Sequence, residues 1–379
     1  MKFVKTITIL MTFCVMAFGN MDRVNALGGN PGFWPEDDAN VSAFPAMVNN
    51  LDMVQVSGAG SDGGVATVIW GEGTTWGFSF DGTGSDAGSD DWINLMWGNG
   101  TYGATFSLGS GSYDNGLSGD LNATASSFGL AAGFGMNMDF GELGVTFSQG
   151  SSDDGDDTTD EEGTFGLGVN LRRAQNVWLF DNMLVNFSMA NTSNYNDVKD
   201  AKDDDMNLSV DLFTSLPAGD GVSATFAMGF GYSSNTFNST GTGDDVASSV
   251  ITLPSVNLGV EAEVTDWATV RFGMGHAYVL SGSAGDETWT GAFHWEEATM
   301  WMDNTTGEEV EAGCEDCTSM TYNAPVSNFN WNFGLGFDYG SFTLDMVLDN
   351  TDLFNDPVRY ITGRNDNGLS SSATLTWKF

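Results

Sequence analysis

The residue types that most often carry chemistry in proteins are scarce in this chain. It contains two histidines, His276 and His294, and three cysteines, two of which form a Cys-Glu-Asp-Cys motif at Cys314 and Cys317. No Gly-x-Ser-x-Gly, His-Glu-x-x-His or phosphate-loop motif occurs, so we predict that the protein is not an enzyme. In an oxidising compartment Cys314 and Cys317 are predicted to form a local disulfide, and a zinc site shared with His294 is the alternative.

Carboxylates are far more abundant than any other chemically active group. The chain has 51 Asp and Glu against 11 Lys and Arg, a net charge of −40, which repels phosphate backbones and argues against nucleic-acid binding. Some acidic residues crowd together, as at Asp153, Asp154, Asp156 and Asp157. Hard oxygen ligands suit Ca²⁺, but no EF-hand spacing is present. We favour charged, hydrated loops, with weak Ca²⁺ binding as the alternative.

A second set of charged residues lies at every second position of segments that read as β-strands. Polar positions that alternate with apolar ones face the opposite side of a sheet, so in a barrel these residues are predicted to line the interior. They are Asp211, Glu261, Glu263, Asp338, Asp345, Arg172, Arg271 and Lys378. Carboxylates outnumber cations in this set, which favours a cation-preferring interior.

The elements that position these residues are defined by a period of two. From Phe329 to Tyr339 every odd position is aromatic or leucine and every even position is Gly, Asn or Asp. The last strand, Ala373 to Phe379, repeats this pattern. Seven short links alternate with eight long, Asp/Ser/Gly-rich connections, which predicts 16 strands. Fourteen is the alternative, because the first three strand candidates are short.

These features resemble the bacterial outer-membrane β-barrel class, and within it porin-like proteins. The resemblance covers about residues 51–379 and depends on the alternation, the aromatic residues near short turns, and the terminal strand that ends in Phe379. It implies an all-β fold: a closed antiparallel transmembrane barrel with short periplasmic turns and long acidic extracellular loops, placed in outer-membrane lipid. It also implies a homo-oligomer such as a trimer. A water-soluble β-sandwich is the alternative.

The N-terminal region differs from the rest of the chain. Lys2 and Lys5 precede an apolar run, and Val24-Asn25-Ala26 offers small residues to a signal peptidase, so residues 1–26 are predicted to be a signal peptide. The next segment, 27–50, is rich in Gly and Pro and cannot be a regular helix or a central strand. It lies either in the periplasm or inside the barrel.

Three functions follow from these expectations. The first is an outer-membrane channel for passive diffusion of small hydrophilic solutes and ions, with a preference for cations. The second is a structural or surface-interaction protein whose acidic loops bind divalent cations. The third is uptake of apolar molecules, suggested by Phe33, Trp34 and Phe44 in the segment before the barrel.

Overall fold

The fold was analysed in a computed structural model. The structure describes residues 21–58, 63–83, 91–114, 124–153, 161–195, 200–239, 246–284, 287–290, 297–303, 309–310, 317–323, 329–348 and 372–379. Among these residues, no helix has the length and hydropathy needed to cross a bilayer.

Twenty strands follow one another in the described part of the chain. The first thirteen are β1 (Met53–Ser57), β2 (Gly63–Trp70), β3 (Thr75–Thr83), β4 (Asp91–Gly98), β5 (Tyr102–Asp114), β6 (Thr124–Met138), β7 (Gly141–Asp153), β8 (Glu161–Val177), β9 (Phe180–Tyr195), β10 (Asp200–Leu216), β11 (Val222–Ser239), β12 (Val246–Thr265) and β13 (Ala268–Ala284). The others are β14 (Glu287–Thr290), β15 (Glu297–Asp303), β16 (Glu309–Val310), β17 (Cys317–Asn323), β18 (Phe329–Tyr339), β19 (Phe342–Leu348) and β20 (Ser372–Lys378).

Strands β1–β13 and β18–β20 form a closed antiparallel barrel of 16 strands. Each pairs with its neighbour along the chain, β13 pairs with β18, and β1 closes the barrel by pairing with β20, where Met53 lies opposite Lys378. Closure gives the backbone N–H and C=O groups of the edge strands hydrogen-bonding partners. An open sheet in lipid would leave these groups unpaired. The predicted all-β, 16-strand fold is confirmed, and the 14-strand alternative is excluded.

The alternation of apolar and polar residues divides the wall as the sequence indicates. On β6, Phe128 and Phe134 are exposed on the outside, whereas Ala131 is buried inside. Aromatic side chains near the short turns also point outward; Trp178 and Tyr339 are both 85% exposed. The outer face therefore carries an apolar band with aromatic residues at its short-turn end, as expected in lipid.

Several strands continue into segments that the sequence assigns to loops. One of the eight long connections predicted from the sequence covers residues 191–204, yet most of it is strand, because β9 runs to Tyr195 and β10 begins at Asp200. Amide side chains support the acidic run there: Asn235 donates to Asp203 and to Asp205. The ladder thus extends past the apolar band, and part of the acidic run lies on a strand.

The longest connection, between β13 and β18, contains structure of its own. Strand β14 continues the pairing with β13, while β15 pairs with both β16 and β17 in a separate three-stranded sheet.

The segment that precedes β1 lies inside the barrel at its short-turn end. It comprises a short helix, α1 (Met21–Ala26), and three 3₁₀ turns, η1 (Pro31–Phe33), η2 (Asp38–Val41) and η3 (Pro45–Asn50). Proline at the first position presets the φ angle of η1 and η3, and the side chain of Asp37 caps η2 by accepting a hydrogen bond from Ala39 N at 2.9 Å. We call residues 21–50 the luminal segment.

Candidate functional site: the barrel lumen

The hydrophobic core of the protein lies between the luminal segment and the inner wall. Phe33 packs on Phe213 of β10 with ring centroids 5.5 Å apart. Other segment residues meet inward-facing apolar side chains of the wall, and the whole cluster comprises Leu27, Phe33, Trp34, Val41, Phe44, Met47, Val48, Met53, Ile69, Met96, Leu184, Phe213 and Ala227. Apolar burial therefore holds the segment in the lumen.

Glycines of the wall make room for the backbone of this segment. A Cβ atom on Gly144 would lie 1.8 Å from the carbonyl oxygen of Ala43, and one on Gly273 would lie 2.2 Å from the nitrogen of Gly28. Similar close approaches to the segment occur at Gly98, Gly103, Gly135, Gly259 and Gly334. Only glycine fits such contacts. The backbone of the luminal segment thus occupies the space that inward glycines leave at this end of the barrel.

A network of ion pairs joins the luminal segment to the wall. Arg23 contacts Asp37 within the segment and donates from Nε to Glu261 Oε2 of β12 at 3.0 Å. The same Glu261 oxygen accepts from Arg271 Nε of β13 at 2.6 Å, and Arg271 also contacts Asp345 of β19. Side chains of Asp37, Arg271 and Asp345 are at most 4% exposed, so these charges depend on one another.

Two further polar contacts fasten the segment on other sides of the barrel. Arg172 of β8 pairs with Glu142, donates to Asn40 Oδ1 at 3.0 Å, and lies over the ring of Phe44 at 4.5 Å. Gln55 of β1 donates to Asp38 Oδ2 at 2.7 Å. The segment is therefore fixed to strands on opposite sides of the lumen.

Burial changes the proton affinity of the segment's own charged groups. The pKa of Asp37 is raised to about 6, mainly by burial and then by the charge of Asp38, while Arg23 opposes the rise. Burial also raises the pKa of Asp22, against a hydrogen bond from Thr374. For Arg23 burial acts to lower the pKa, but the carboxylates of Asp37 and Glu261 together raise it above its usual value.

A cavity of about 580 Å³ lies on the loop side of the luminal segment. Ser42 and Ala43 of the segment form part of its floor. Most of its surface is apolar, and hydroxyl and amide side chains are spread over its wall, namely Thr105, Thr146, Ser148, Asn170, Asn186, Ser188, Asn207, Ser209, Ser233 and Thr252. Among the described residues that line it, none is charged. We call this cavity the chamber.

The eight charged residues predicted to line the interior fall into two groups. Asp211, Arg172, Arg271 and Asp345 are buried inside the barrel, and Glu261 is partly buried beside them. Of these five, all but Asp211 belong to the contacts around the luminal segment, and none lines the chamber.

The other three, Glu263, Asp338 and Lys378, lie exposed at or near the short turns. Asp338, for example, accepts a hydrogen bond from Thr343 Oγ1 at 2.8 Å.

The other predicted sites fall mostly outside the described residues. Asp153 ends β7, but Asp154, Asp156 and Asp157 are not among the residues that the structure describes. Cys314 is likewise outside them. Cys317 is the first residue of β17, and the structure describes only its backbone. Within the described ranges, no three His, Cys, Asp or Glu side chains are grouped as metal ligands.

Sequence reasoning missed the residues that anchor the luminal segment. Asp22 and Arg23 fall within the predicted signal peptide, and no sequence motif marks Asp37, Asp38 or Gln55. The available signal was weak: a lone arginine in a chain with few basic residues, followed by three acidic residues at positions 36–38 in a Pro-rich stretch.

The distribution of polarity decides the class of fold. Large apolar side chains are exposed on the outside of a closed barrel, while paired charges and hydroxyl groups are inside, the reverse of a water-soluble protein. The chain has the fold of a bacterial outer-membrane β-barrel. Its apolar band places the barrel in the outer membrane.

Comparisons with known proteins assign this chain to no family. No family model and no curated protein matches the sequence. The hemophore receptor HasR of Serratia marcescens, solved with its hemophore HasA and heme, is 10% identical with a TM-score of 0.36, over 78% of this chain and 44% of that one. The ferric-catecholate import receptor Fiu of E. coli K12 is 9% identical with a TM-score of 0.38, over 78% and 50%.

The ferric citrate transporter FecA, in its unliganded form, is 10% identical with a TM-score of 0.34, over 86% of this chain and 79% of that one. This chain spans about half the length of the first two receptors. At these identities and TM-scores, the likeness supports no inference about this chain.

Proposed function

We propose that this protein is an outer-membrane channel for small hydrophilic solutes and ions, closed at its periplasmic end by the luminal segment. The chamber is the observation that carries this proposal. It is a cavity of about 580 Å³ inside a membrane barrel, and its described wall has no charged residue and combines a larger apolar surface with hydroxyl and amide groups. Such groups replace part of the hydration shell of a small polar solute without fixing its charge.

The acidic surface supports a preference for cations. The chain carries a net charge of −40, and Asp203, Asp204 and Asp205 lie at the loop end of β10, on the same side of the barrel as the chamber. A negative potential at the mouth of a low-dielectric wall concentrates cations and depletes anions. The preference is therefore expected to weaken as salt concentration rises.

Uptake of apolar molecules finds less support. Phe33, Trp34 and Phe44, which suggested it, are at most 9% exposed and belong to the core that holds the luminal segment. Their rings leave no free surface for a hydrophobic ligand in this arrangement. Passage of a hydrophilic solute instead requires the segment to move away from part of the wall.

Planar-bilayer recordings test the channel proposal. The purified protein is compared with a variant that lacks residues 31–48, in a salt gradient that reports the sign of the preferred ion. We expect low conductance for the complete protein and a severalfold higher, cation-preferring conductance for the deletion. A variant that lacks residues 351–368, an equal length between β19 and β20, is the control and should conduct like the complete protein. A deletion variant that stays closed or prefers anions would contradict the proposal.

The alternative of a surface-interaction protein is favoured by one observation. The sheet of β15, β16 and β17 gives the longest connection a folded element that is separate from the barrel sheet. If recognition at this element is the main function, removal of residues 291–327 should abolish binding to cells or divalent cations and leave conductance unchanged. Surface plasmon resonance and equilibrium dialysis with Ca²⁺ measure these two kinds of binding.

A further inference from the structure

Helix α1 is built into the barrel as thoroughly as any other part of the luminal segment. Val24 and Ala26 have no exposed surface, and Asp22 is 4% exposed. The helix contacts β13, β18, β19 and β20. Yet all six of its residues precede the peptide bond after Ala26, which the sequence pattern offered as the end of a signal peptide.

The wall provides α1 with specific polar partners. Asp22 Oδ2 accepts a hydrogen bond from Thr374 Oγ1 of β20 at 2.6 Å, and Ser372 also donates to Asp22. Thr374 has no exposed surface. Asp22 thus supplies a charged acceptor to a hydroxyl that is fully buried when α1 is in place.

The charge balance of the lower lumen also depends on α1. Arg23 contacts Asp37 and Glu261, which are 2% and 20% exposed at their side chains. Removal of residues 20–26 would take this cation away from both carboxylates while Arg271 alone remained beside Glu261 and Asp345. Buried charges that lose a partner destabilise a fold strongly.

The shape of the wall fits Ala26 and the residues that follow it. A Cβ atom on Gly334 would lie 2.3 Å from the Cβ of Ala26, and one on Gly273 would lie 2.8 Å from its carbonyl oxygen. Leu27, the residue after Ala26, is 1% exposed with α1 in place, so hydrolysis after Ala26 would separate α1 from a closely packed neighbour.

We propose that the leader peptide is removed between Gly19 and Asn20, so that α1 stays in the mature protein. Ala17-Phe18-Gly19 places small residues at the two positions that a signal peptidase reads, directly after the apolar run from Ile7 to Phe18. The peptidase adds water across the Gly19–Asn20 peptide bond; the C–N bond breaks, Gly19 keeps a carboxylate and Asn20 gains the free amino group. Sequence allows this site and the one after Ala26, and the packing of α1 selects the first.

Intact-mass analysis and N-terminal sequencing of the full-length product, purified from the outer membrane of a Gram-negative host, test this assignment. We expect a mature chain that begins at Asn20, seven residues longer than one that begins at Leu27. A mature chain that begins at Leu27, or at any position other than Asn20, overturns the proposal.

A second measurement uses Arg23→Gln. If α1 is retained, this variant should unfold at a lower temperature than the wild type in detergent, because Arg23 joins Asp37 to Glu261. Lys202→Gln, which alters an exposed ion pair with Asp204, is the control and should change the midpoint little. If residues 20–26 are removed during maturation, the mature Arg23→Gln and wild-type chains are identical, and equal midpoints would overturn the proposal.

Discussion

The two ends of the lumen are formed by the same alternating strands, but one end contains the luminal segment and the other contains the chamber. At the short-turn end, inward positions include glycines, apolar side chains and paired charges, together with neutral polar groups such as Gln55 and Thr374, and many of them meet the luminal segment. At the loop end, many inward positions are Ser, Thr and Asn, and they surround the chamber. Paired charges and glycines in contact with the segment therefore distinguish the packed part of the interior from the chamber.

This difference shows what an inward residue reports about its surroundings. Gly144 faces backbone atoms of the luminal segment, whereas Gly168 on the neighbouring strand faces only the hydroxyl of Thr146. Arg271 is enclosed by two carboxylates, whereas none of the described residues that line the chamber is charged. The alternation of residues along a strand shows which side chains face the lumen. The size and charge pairing of those inward residues show whether the lumen around them is filled.

The largest effect is expected at the ion pairs of the packed end. Arg271→Gln removes the guanidinium that contacts Glu261 and Asp345, with a side chain that is only 4% exposed, and should lower the free energy of unfolding by about 3–5 kcal/mol. Lys202→Gln, which alters a pair that is 52% and 42% exposed, should lower it by about 0–1 kcal/mol. Urea unfolding in lipid vesicles measures both. Equal losses would show that the two ends do not differ in this way.

A smaller effect is expected from glycines. Gly144→Ala forces a Cβ atom against the backbone of Ala43, and overpacking of this kind costs about 1–3 kcal/mol. Gly168→Ala is the matched control, because the single contact at 2.4 Å is with the Thr146 hydroxyl, which can rotate away. We expect Gly144→Ala to loosen the luminal segment and raise conductance, and Gly168→Ala to leave conductance as it is. A larger rise in conductance for Gly168→Ala than for Gly144→Ala would contradict the placement of the packed region at the short-turn end.

The smallest effect is a dependence of segment docking on pH. The pKa of Asp37 rises from 3.8 to about 6 on folding, so the docked form binds the proton more tightly than the undocked form. This contribution to stability is complete below about pH 4 and is lost as pH rises through about 6. Conductance measured from pH 5 to 7.5 should therefore increase in the wild type.

Asp37→Asn is the test of that assignment. Because asparagine does not titrate, the slope of conductance against pH in this window should become flatter, whatever the absolute conductance of the variant. An unchanged slope would assign the titration to another group.

Much of the barrel could be predicted because strands in lipid leave a strong local signal. The alternation around Phe329–Tyr339 and the outward aromatic residues depend only on neighbouring positions, and the structure confirms them. Strand ends were harder to predict. The run Asp203–Asp205 reads as a loop, yet it is strand because Asn235 and the partner strands stabilise it across the sheet.

The contents of the lumen could not be predicted in the same way. The contacts of Arg23 with Glu261 and of Asp22 with Thr374 join residues more than 200 positions apart, and no local pattern encodes such pairs. The inward parity of Arg172, Arg271 and Asp345 was visible in the sequence, but their use in holding a segment rather than facing water depends on tertiary packing.

Thiol labelling at the two ends of the lumen tests the central claim most directly. In a protein with Cys314 and Cys317 replaced by serine, Ser188→Cys places a thiol in the wall of the chamber and Ala227→Cys places one in the packed core. A charged, membrane-impermeant reagent added from outside should modify the first thiol quickly and leave the second protected. Deletion of residues 31–48 should expose the second. Equal labelling of both thiols in the full-length protein would contradict a lumen that is filled at one end and hollow at the other.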